Sequence, residues 1–417
     1  MSTLDTLLAL TENFSGSEAI ILHPERCLNT RFRAVDCSLC ADSCPAEGAI
    51  TVINGKPSLD NAACLRCGLC LHRCPTEAYT RPDSLSGKLV KIVTALPDEP
   101  VDLVCPQHPH PERGPAPQTA QTQRCLAALS PATLLELSTL NKEIWLDDTP
   151  CAGCPLGQVQ PAITQSVAEA NSWAGLLDAS KPLLLRTEDT EATRAAVQRV
   201  VYNAATPPVS RRGLFASFRQ VGQEVTVVEE KVELVKAGKS VPVSERLPHH
   251  VPYQRAKILS IIEKFSFTQS PGPQSLITNY QYPKGTQLPI TNPSTSLRTS
   301  LPISNLQINP TRCTACGLCA KFCPTGALNF LSDGQSFALT FQPSLCLGPD
   351  CNVCVPACPE QAVSPQPFTE SPDLFTKKPL AAGDLTSCQR CKQPIAKGPN
   401  LPHTCFACRS KNNLNFW

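Results

Sequence analysis

The sequence predicts a multidomain protein of the α+β class, in which two cysteine-rich modules flank a small parallel-sheet domain and an extended linker. Three observations carry this prediction. The chain has 24 cysteines, which fall into six groups of four. Strand-like and helical patterns alternate between residues 101 and 204, which is typical of a parallel sheet with crossover helices. Residues 266–308 are rich in Ser, Thr, Pro, Asn and Gln, a composition that buries little and favours an extended strap.

The composition points to stabilisation by metals. Aromatic residues make up 5%, there is one methionine, and the 41 prolines give about twice the usual frequency. Metal binding can replace a large apolar core, because its free energy becomes folding free energy. The net charge of +2 gives no reason to expect nucleic-acid or membrane-surface binding. The N-terminus lacks the basic region of a signal peptide, and no apolar run is long enough for a transmembrane helix, so we expect a cytoplasmic protein with reduced cysteines.

The cysteine pattern of residues 27–80 recurs at 309–366 and sets the expected domain boundaries. These are a first module at 1–96, an α/β domain at 97–204, a helical and extended linker at 205–308, a second module at 309–370 and a C-terminal segment at 371–417. Periodicity predicts strands at 101–104, 143–146 and 183–185, and helices at 126–140, 158–177, 188–203, 212–238 and 252–265. Little regular structure is expected in the proline-rich stretch 97–120 apart from the strand at 101–104.

Two stretches, Cys64–Pro75 and Cys313–Pro324, share the spacing Cys-x2-Cys-x2-Cys-x3-Cys-Pro. Three closely spaced thiolates bind three irons of a 4Fe-4S cluster, and the fourth reaches a neighbouring cluster. Gly68 lets the backbone approach without a Cβ atom. Each motif has a less regular companion, Cys27-x9-Cys37-x2-Cys40-x3-Cys44-Pro45 or Cys346-x4-Cys351-x2-Cys354-x3-Cys358-Pro359.

Both pairs of motifs resemble the bacterial ferredoxins that hold two 4Fe-4S clusters. The resemblance implies four crossed ligand sets: tetrad A (Cys27, Cys37, Cys40, Cys74), tetrad B (Cys44, Cys64, Cys67, Cys70), tetrad C (Cys313, Cys316, Cys319, Cys358) and tetrad D (Cys323, Cys346, Cys351, Cys354). Short strands at Ala49–Val52 and Ala327–Phe330 would cover the clusters. The insertion after Cys27 leaves an alternative in which this residue is a buried apolar thiol and tetrad A has three protein ligands.

Four further cysteines form a middle tetrad in the α/β region: Cys105, Cys125, Cys151 and Cys154. Ligands at the carboxyl ends of neighbouring parallel strands can converge. Cys151 and Cys154 would open a helix, whose dipole favours thiolate. A fifth iron–sulfur cluster (2Fe-2S or 4Fe-4S), a structural zinc and a Cys151/Cys154 dithiol all remain open. We expect His108 and His110 to be solvated rather than to replace a ligand.

The run from Arg124 to Cys154 is similar to the delta, or small iron–sulfur, subunit of hydrogenases, which implies a 2Fe-2S cluster that passes electrons between subunits.

The C-terminal tetrad is Cys388, Cys391, Cys405 and Cys408. Two Cys-x2-Cys knuckles joined by a loop are typical of a zinc ribbon, in which the metal is structural. Rubredoxin-like iron uses similar ligands, although coordination preference favours zinc. We expect the nearby His403 to be a bystander.

The chain has no nucleotide-binding loop, serine elbow or zinc-protease helix motif, and no catalytic residues are predicted. We therefore expect a polyferredoxin-like, non-catalytic subunit of a larger oxidoreductase, adapted to anaerobic metabolism. Its partners would be other redox subunits or electron carriers, at most peripheral to a membrane and without nucleic acid. One alternative is a redox enzyme that uses the Cys151/Cys154 dithiol or an open cluster. Another is a nucleic-acid-binding redox sensor, which the near-neutral charge disfavours.

Overall fold

The computed structural model describes residues 20–81, 85–175, 177, 180–188, 196–204, 249–266, 304–367 and 374–409. The helix predicted at 212–238 lies outside these residues, as does most of the extended strap at 266–308. Of the helices described, none is both long and apolar enough to cross a membrane.

The first cysteine-rich module contains two antiparallel strand pairs and three one-turn helices. Its elements are β1 (Ile21–Leu22), α1 (Leu28–Arg31), α2 (Leu39–Asp42), β2 (Ile50–Ile53), β3 (Lys56–Leu59), α3 (Cys70–Arg73) and β4 (Tyr79–Thr80). Strand β1 pairs with β4, and β2 with β3. Asn54 and Gly55 join β2 to β3 with φ values of 54° and 72°, which a two-residue hairpin turn of type I′ requires. Strand β2 agrees with the strand expected at Ala49–Val52.

The middle of the chain forms a five-stranded sheet, and all of its strands are parallel. Its elements and neighbours are α4 (Leu85–Ala95), β5 (Val101–Val104), β6 (Arg113–Gly114), β7 (Gln118–Gln121), α5 (Pro131–Ser138), β8 (Ile144–Leu146), α6 (Gln160–Ala174), β9 (Leu184–Leu185), β10 (Val197–Gln198) and β11 (Val201–Asn203). The strand order is β11-β7-β5-β8-β9. The predicted parallel sheet is confirmed.

Two predictions about this region were wrong. The helix expected at 188–203 is replaced over 197–203 by β10 and β11, because the β-branched residues there pair with β6 and β7. The proline-rich stretch expected to be irregular contains β7, a strand buried between β5 and β11. Thr119 is fully buried and its hydroxyl donates to the Asp102 carbonyl at 3.0 Å. The polar sequence of β7 therefore hides a strand whose hydrogen bonds are satisfied inside the sheet.

Helix α7 (Tyr253–Ser266) matches the helix predicted at 252–265 and packs on the α/β domain. The Lys257 ammonium lies 2.5 Å from the Glu136 carboxylate on α5. Apolar residues of α5, α6 and α7 share one buried cluster: Ala132, Leu135, Trp173, Ala174, Ile258, Ile261 and Ile262. This part of the predicted linker is a packed helix.

The second cysteine-rich module and the C-terminal segment share one antiparallel sheet. The elements are β12 (Ser304–Ile308), α8 (Leu318–Phe322), β13 (Leu328–Ser332), β14 (Ser336–Phe341), β15 (Val363–Pro367), β16 (Lys378–Ser387), β17 (Pro394–Ala396) and α9 (Phe406–Arg409). Strand β12 pairs with β15, and the other four follow the order β13-β14-β16-β17. Strand β13 agrees with the strand expected at Ala327–Phe330. Because β16 is paired along β14, the segment that carries the last four cysteines is anchored to the module before it.

Candidate metal centres

The four cysteines of tetrad A face one another. Burial raises the pKa of Cys37 to about 11, and the charges of Cys74, Cys40 and Cys27 add to the effect. The Asn29 side chain fixes the position of Cys37, since its amide donates to the Cys37 carbonyl and its oxygen accepts from the Cys37 N–H, both at 2.7 Å. Cys27 therefore lies with the other three thiols and not in a separate apolar position, although its role as a ligand stays a prediction.

Tetrad B converges in the same way on Cys70. Burial raises the pKa of this thiol, and the charges of Cys67, Cys64 and Cys44 raise it further. The Arg66 N–H donates to the Cys64 Sγ atom at 3.4 Å, the kind of hydrogen bond that stabilises a ligand thiolate. Tetrads A and B share one apolar cluster that contains Cys27, Cys40, Cys44, Cys64, Cys70 and Cys74.

Gly68 has a positive φ of 86°, and a Cβ atom added to it would lie 2.6 Å from the Ala128 Cβ. The sequence suggested that this glycine permits a close approach to cluster sulfides. The structure shows a second close neighbour, Ala128 of the α/β domain. The glycine therefore also allows tetrad B to lie against the middle tetrad.

Tetrads C and D each line a cavity. The first cavity is lined by Cys313, Cys316, Cys319 and Cys358, with Ile308, Phe330 and Leu339 among its apolar walls. The second is lined by Cys323, Cys346, Cys351 and Cys354, with Leu306, Leu328 and Phe341. Four thiols around an apolar-walled cavity fit a cluster that takes all-thiolate ligands and is shielded from water.

The cysteines of the middle tetrad come together beyond the carboxyl ends of β7, β5 and β8. Burial raises the pKa of Cys125 to about 11, and the charges of Cys105, Cys67 and Cys154 contribute. Burial also raises the pKa of Cys151 to about 12, with contributions from Cys125 and Asp148. Open parallel sheets place their sites at this edge. The predicted convergence of these four residues therefore agrees with the sheet topology, while the metal they hold stays a prediction.

The predicted helix dipole at Cys151 and Cys154 was wrong. Thr149–Gly153 forms a 3-10 turn, and α6 begins only at Gln160. The pKa of Cys151 is raised by burial instead of lowered by a helix N-terminus. Reactive cysteines have depressed pKa values, so burial acts on Cys151 in the opposite direction.

His108 and His110 differ in environment. The His108 Nε2 atom lies 3.0 Å from an Asp147 carboxylate oxygen, and both side chains are buried. The expectation that His108 is solvated was wrong, because the loop after β5 folds back onto the residue that follows β8. His110 is exposed, as expected. The ring of His108 therefore orders the loop next to Cys105, whose carbonyl accepts from the His108 N–H at 3.1 Å.

The C-terminal tetrad is more compact than the other five. The Sγ atoms of Cys388, Cys391, Cys405 and Cys408 all lie within 4.8 Å of one another. A tetrahedral Zn²⁺ with bonds of about 2.3 Å separates its sulfurs by about 3.8 Å. Among the described residues, no other group of three or more metal-ligating side chains is this close. The geometry of the last tetrad thus suits a single metal ion. The His403 side chain lies outside the group, and its carbonyl accepts from the Gln389 N–H.

The tetrads follow one another through the molecule. Cys67 of tetrad B and Cys105, Cys125 and Cys151 of the middle tetrad belong to one apolar core. Cys37 of tetrad A and Cys351 of tetrad D share another, in which the Phe32 and Phe322 rings lie 5.0 Å apart. A third apolar core contains cysteines of both tetrads C and D. The order is therefore middle tetrad, B, A, D, C.

The comparison with known families agrees with this geometry. Residues 306–329 match the family described as the 4Fe-4S binding domain, Fer4. The matched stretch contains Cys313, Cys316, Cys319 and Cys323, which belong to tetrads C and D. No curated protein matches the chain. The protein thus contains a 4Fe-4S binding domain in a mixed α/β fold, and its many cysteines indicate iron–sulfur electron transfer.

Several side chains around the tetrads have no signature in the sequence. Asn29 fixes Cys37, and the Tyr79 hydroxyl donates to the Cys40 Sγ atom at 3.5 Å. Arg31 and Arg255 are buried beside tetrad D. Asn29 and Arg31 lie within four residues of the predicted ligand Cys27, which is the signal that the sequence offered for them. Arg255 lies in a segment predicted to be a linker, so the sequence offered no signal for it.

Proposed function

We propose that the protein is a polyferredoxin-like electron-transfer subunit that binds four 4Fe-4S clusters at tetrads A to D. The middle tetrad would hold a fifth iron–sulfur centre, and the C-terminal tetrad one structural zinc. When bound, each cluster supplies a one-electron redox centre. The observation that carries the proposal is the single series of tetrads, in which successive members share apolar cores.

The protein side chains have three tasks in this function. The cysteines hold each cluster, and the apolar residues around them exclude water. Backbone N–H groups stabilise the thiolates: Ala78 donates to Cys74 at 3.3 Å and Ala362 donates to Cys358 at 3.3 Å. Burial and such hydrogen bonds are the means by which a protein sets a cluster potential. These contacts are made to ligand sulfur atoms, which supports an electron carrier.

The middle tetrad offers a natural contact point for another redox protein because it stands at one end of the series. Cys154 is partly exposed, and Ala152 and Gly153 beside it are exposed. We extend the proposal to partners of this class, namely redox subunits or electron-carrier proteins of a larger oxidoreductase. The raised pKa of the half-buried Cys151 gives less support to the alternative of a reactive Cys151/Cys154 dithiol.

The test is anaerobic purification of the full chain, followed by iron, sulfide and zinc analysis and EPR of the reduced protein. We expect about sixteen irons from four cubane clusters, two or four more from the middle tetrad, and about one zinc. Cys67→Ser and Cys319→Ser each remove one predicted cluster ligand, one in each module, and each should lower the iron content. An iron content of about four, with no change in Cys67→Ser, would restrict cluster binding to the matched domain and contradict the proposal.

A further inference from the structure

Two buried arginines lie beside tetrad D, and neither belongs to the module that supplies its cysteines. Arg31 lies on α1 of the first module and is 5% exposed, and Arg255 lies on α7 and is 4% exposed. A buried charge is costly unless it is compensated. Their position next to a predicted cluster site is therefore a specific feature of how the three segments assemble.

Arg255 is fixed on the turn that leads into tetrad D. Its Nε atom donates to the Ser344 carbonyl at 2.7 Å, and an Nη atom donates to the Pro343 carbonyl at 3.2 Å. Both carbonyls belong to the 3-10 turn Pro343–Leu345, which directly precedes Cys346. Burial lowers the pKa of Arg255 to about 10, and the charge of Cys346 opposes the change. The guanidinium therefore stays cationic at neutral pH.

Arg31 approaches tetrad D from the other side. It ends α1, whose Leu28 packs with Phe322, Val353 and Cys351 in the apolar core between the modules. Burial lowers the pKa of Arg31, while the charges of Cys323 and Cys351 raise it. The two buried guanidinium groups thus act electrostatically on three of the four cysteines of this tetrad, namely Cys323, Cys346 and Cys351.

Tetrad C has a neighbour of the opposite sign. Glu360 lines the cavity of tetrad C. Burial raises the pKa values of Cys313 and Cys316, and the charges of Cys358 and then of Glu360 raise them further. Glu360 also accepts from the Thr314 hydroxyl at 3.3 Å and pairs with Arg409. The two sites of the second module thus differ in the charges set against them.

Resting on the proposed function, we propose that Arg31 and Arg255 raise the reduction potential of the cluster at tetrad D above that of the cluster at tetrad C. Reduction adds one electron, and thus one negative charge, to a cluster that four thiolates already make anionic. A nearby buried cation stabilises the more negative state, and a carboxylate destabilises it. Tetrad D would then be the site in this module where an electron from a low-potential donor is held.

The test is an anaerobic redox titration of the full protein with dithionite, followed by EPR. The signal of tetrad D is assigned by its loss in Cys354→Ala. We expect Arg255→Gln and Arg31→Gln to make reduction of this cluster about tenfold less favourable, which is 59 mV for a one-electron couple. Arg255→Lys should restore most of the potential because it keeps the charge. Lys321→Gln is the matched control, since Lys321 lies between two ligands but is exposed to screening solvent.

The outcomes separate this inference from the proposed function. Fully loaded Arg31→Gln and Arg255→Gln proteins with wild-type midpoints would overturn the inference and leave the electron carrier standing. If Arg255→Gln loses iron, Arg31→Gln decides by the same criterion. A wild-type protein without any 4Fe-4S signal would overturn both.

Discussion

Gly68 and Ala128 meet at the junction between tetrad B and the middle tetrad, and there is no room for a methyl group between them. A Cβ atom on Gly68 would lie 2.6 Å from the Ala128 Cβ, and the backbone of Gly68 has a φ of 86°. Nearby, the Arg124 guanidinium donates to the Arg66 carbonyl at 2.6 Å and the His72 ring contacts the Ala127 carbonyl at 2.9 Å. The first module and the α/β domain are thus in close contact at the junction between tetrad B and the middle tetrad.

The first prediction concerns this junction. Gly68→Ala should destabilise the protein by about 2–5 kcal/mol, because about 1–2 kcal/mol of backbone strain adds to a steric overlap worth about 1–3 kcal/mol. Gly48→Ala is the matched control, since Gly48 also has a positive φ of 75° but nothing within 4 Å of an added Cβ. Denaturant unfolding of the anaerobic protein measures both.

A second substitution isolates the steric part of this effect. Ala128→Gly in the Gly68→Ala background should recover the part of the loss that comes from overlap, and leave the backbone strain. Equal losses for Gly68→Ala and Gly48→Ala would mean that the close packing seen at Ala128 contributes nothing.

The second prediction concerns the start of α7. Both oxygens of the Glu77 carboxylate accept from backbone N–H groups at the start of this helix, Tyr253 at 2.7 Å and Gln254 at 2.8 Å. Glu77→Ala should cost about 0.5–2 kcal/mol, the usual value of an N-terminal cap. Hydrogen exchange of the Tyr253 and Gln254 amides should accelerate, while the amides of β14 keep their protection. Glu47→Ala is the control, because Glu47 is an exposed acid of the same module. An unchanged exchange rate of the Tyr253 amide in Glu77→Ala would show that Glu77 does not cap this helix.

Features set by local sequence could be predicted, and features set by contacts between distant segments could not. The convergence of the cysteines could be predicted because their spacing is local: Cys64, Cys67 and Cys70 follow one another at intervals of three residues. The parallel sheet could be predicted from its apolar strands, but the polar strand β7 could not, since its neighbours bury it. Arg255 and Ala128 acquire their roles through segments far away in the chain. No local pattern encodes such contacts.

The third prediction concerns the metal of the middle tetrad. Cys125→Ser should lower the iron content by about two or four atoms per chain and leave the four cubane clusters in place, because Cys125 would be a ligand only of the fifth centre. His108→Gln is the control, and it should keep the iron because the His108 ring faces Asp147. Unchanged iron in Cys125→Ser would exclude a fifth cluster. Zinc lost in its place would identify a second zinc site.

The last prediction concerns the C-terminal tetrad. A zinc chelator should remove about one zinc per chain from the wild-type protein, and Cys405→Ser should lose it on purification, because a closed four-thiolate site needs all of its ligands. The iron should stay, since tetrad C has its own cavity and shares no cysteine with this site.

Two further measurements make the zinc prediction decisive. His403→Ala should keep the zinc, because among the described residues His403 contributes its main-chain carbonyl to the knuckle, where it accepts from the Gln389 N–H. Zinc loss should also loosen β17, whose Ala396 N–H donates to the Thr314 carbonyl next to Cys313 at 3.1 Å, and faster hydrogen exchange at Ala396 would report it. Rubredoxin-type absorption in place of zinc would identify the ion as iron, and the same four-thiolate geometry would then carry a sixth redox centre beside tetrad C.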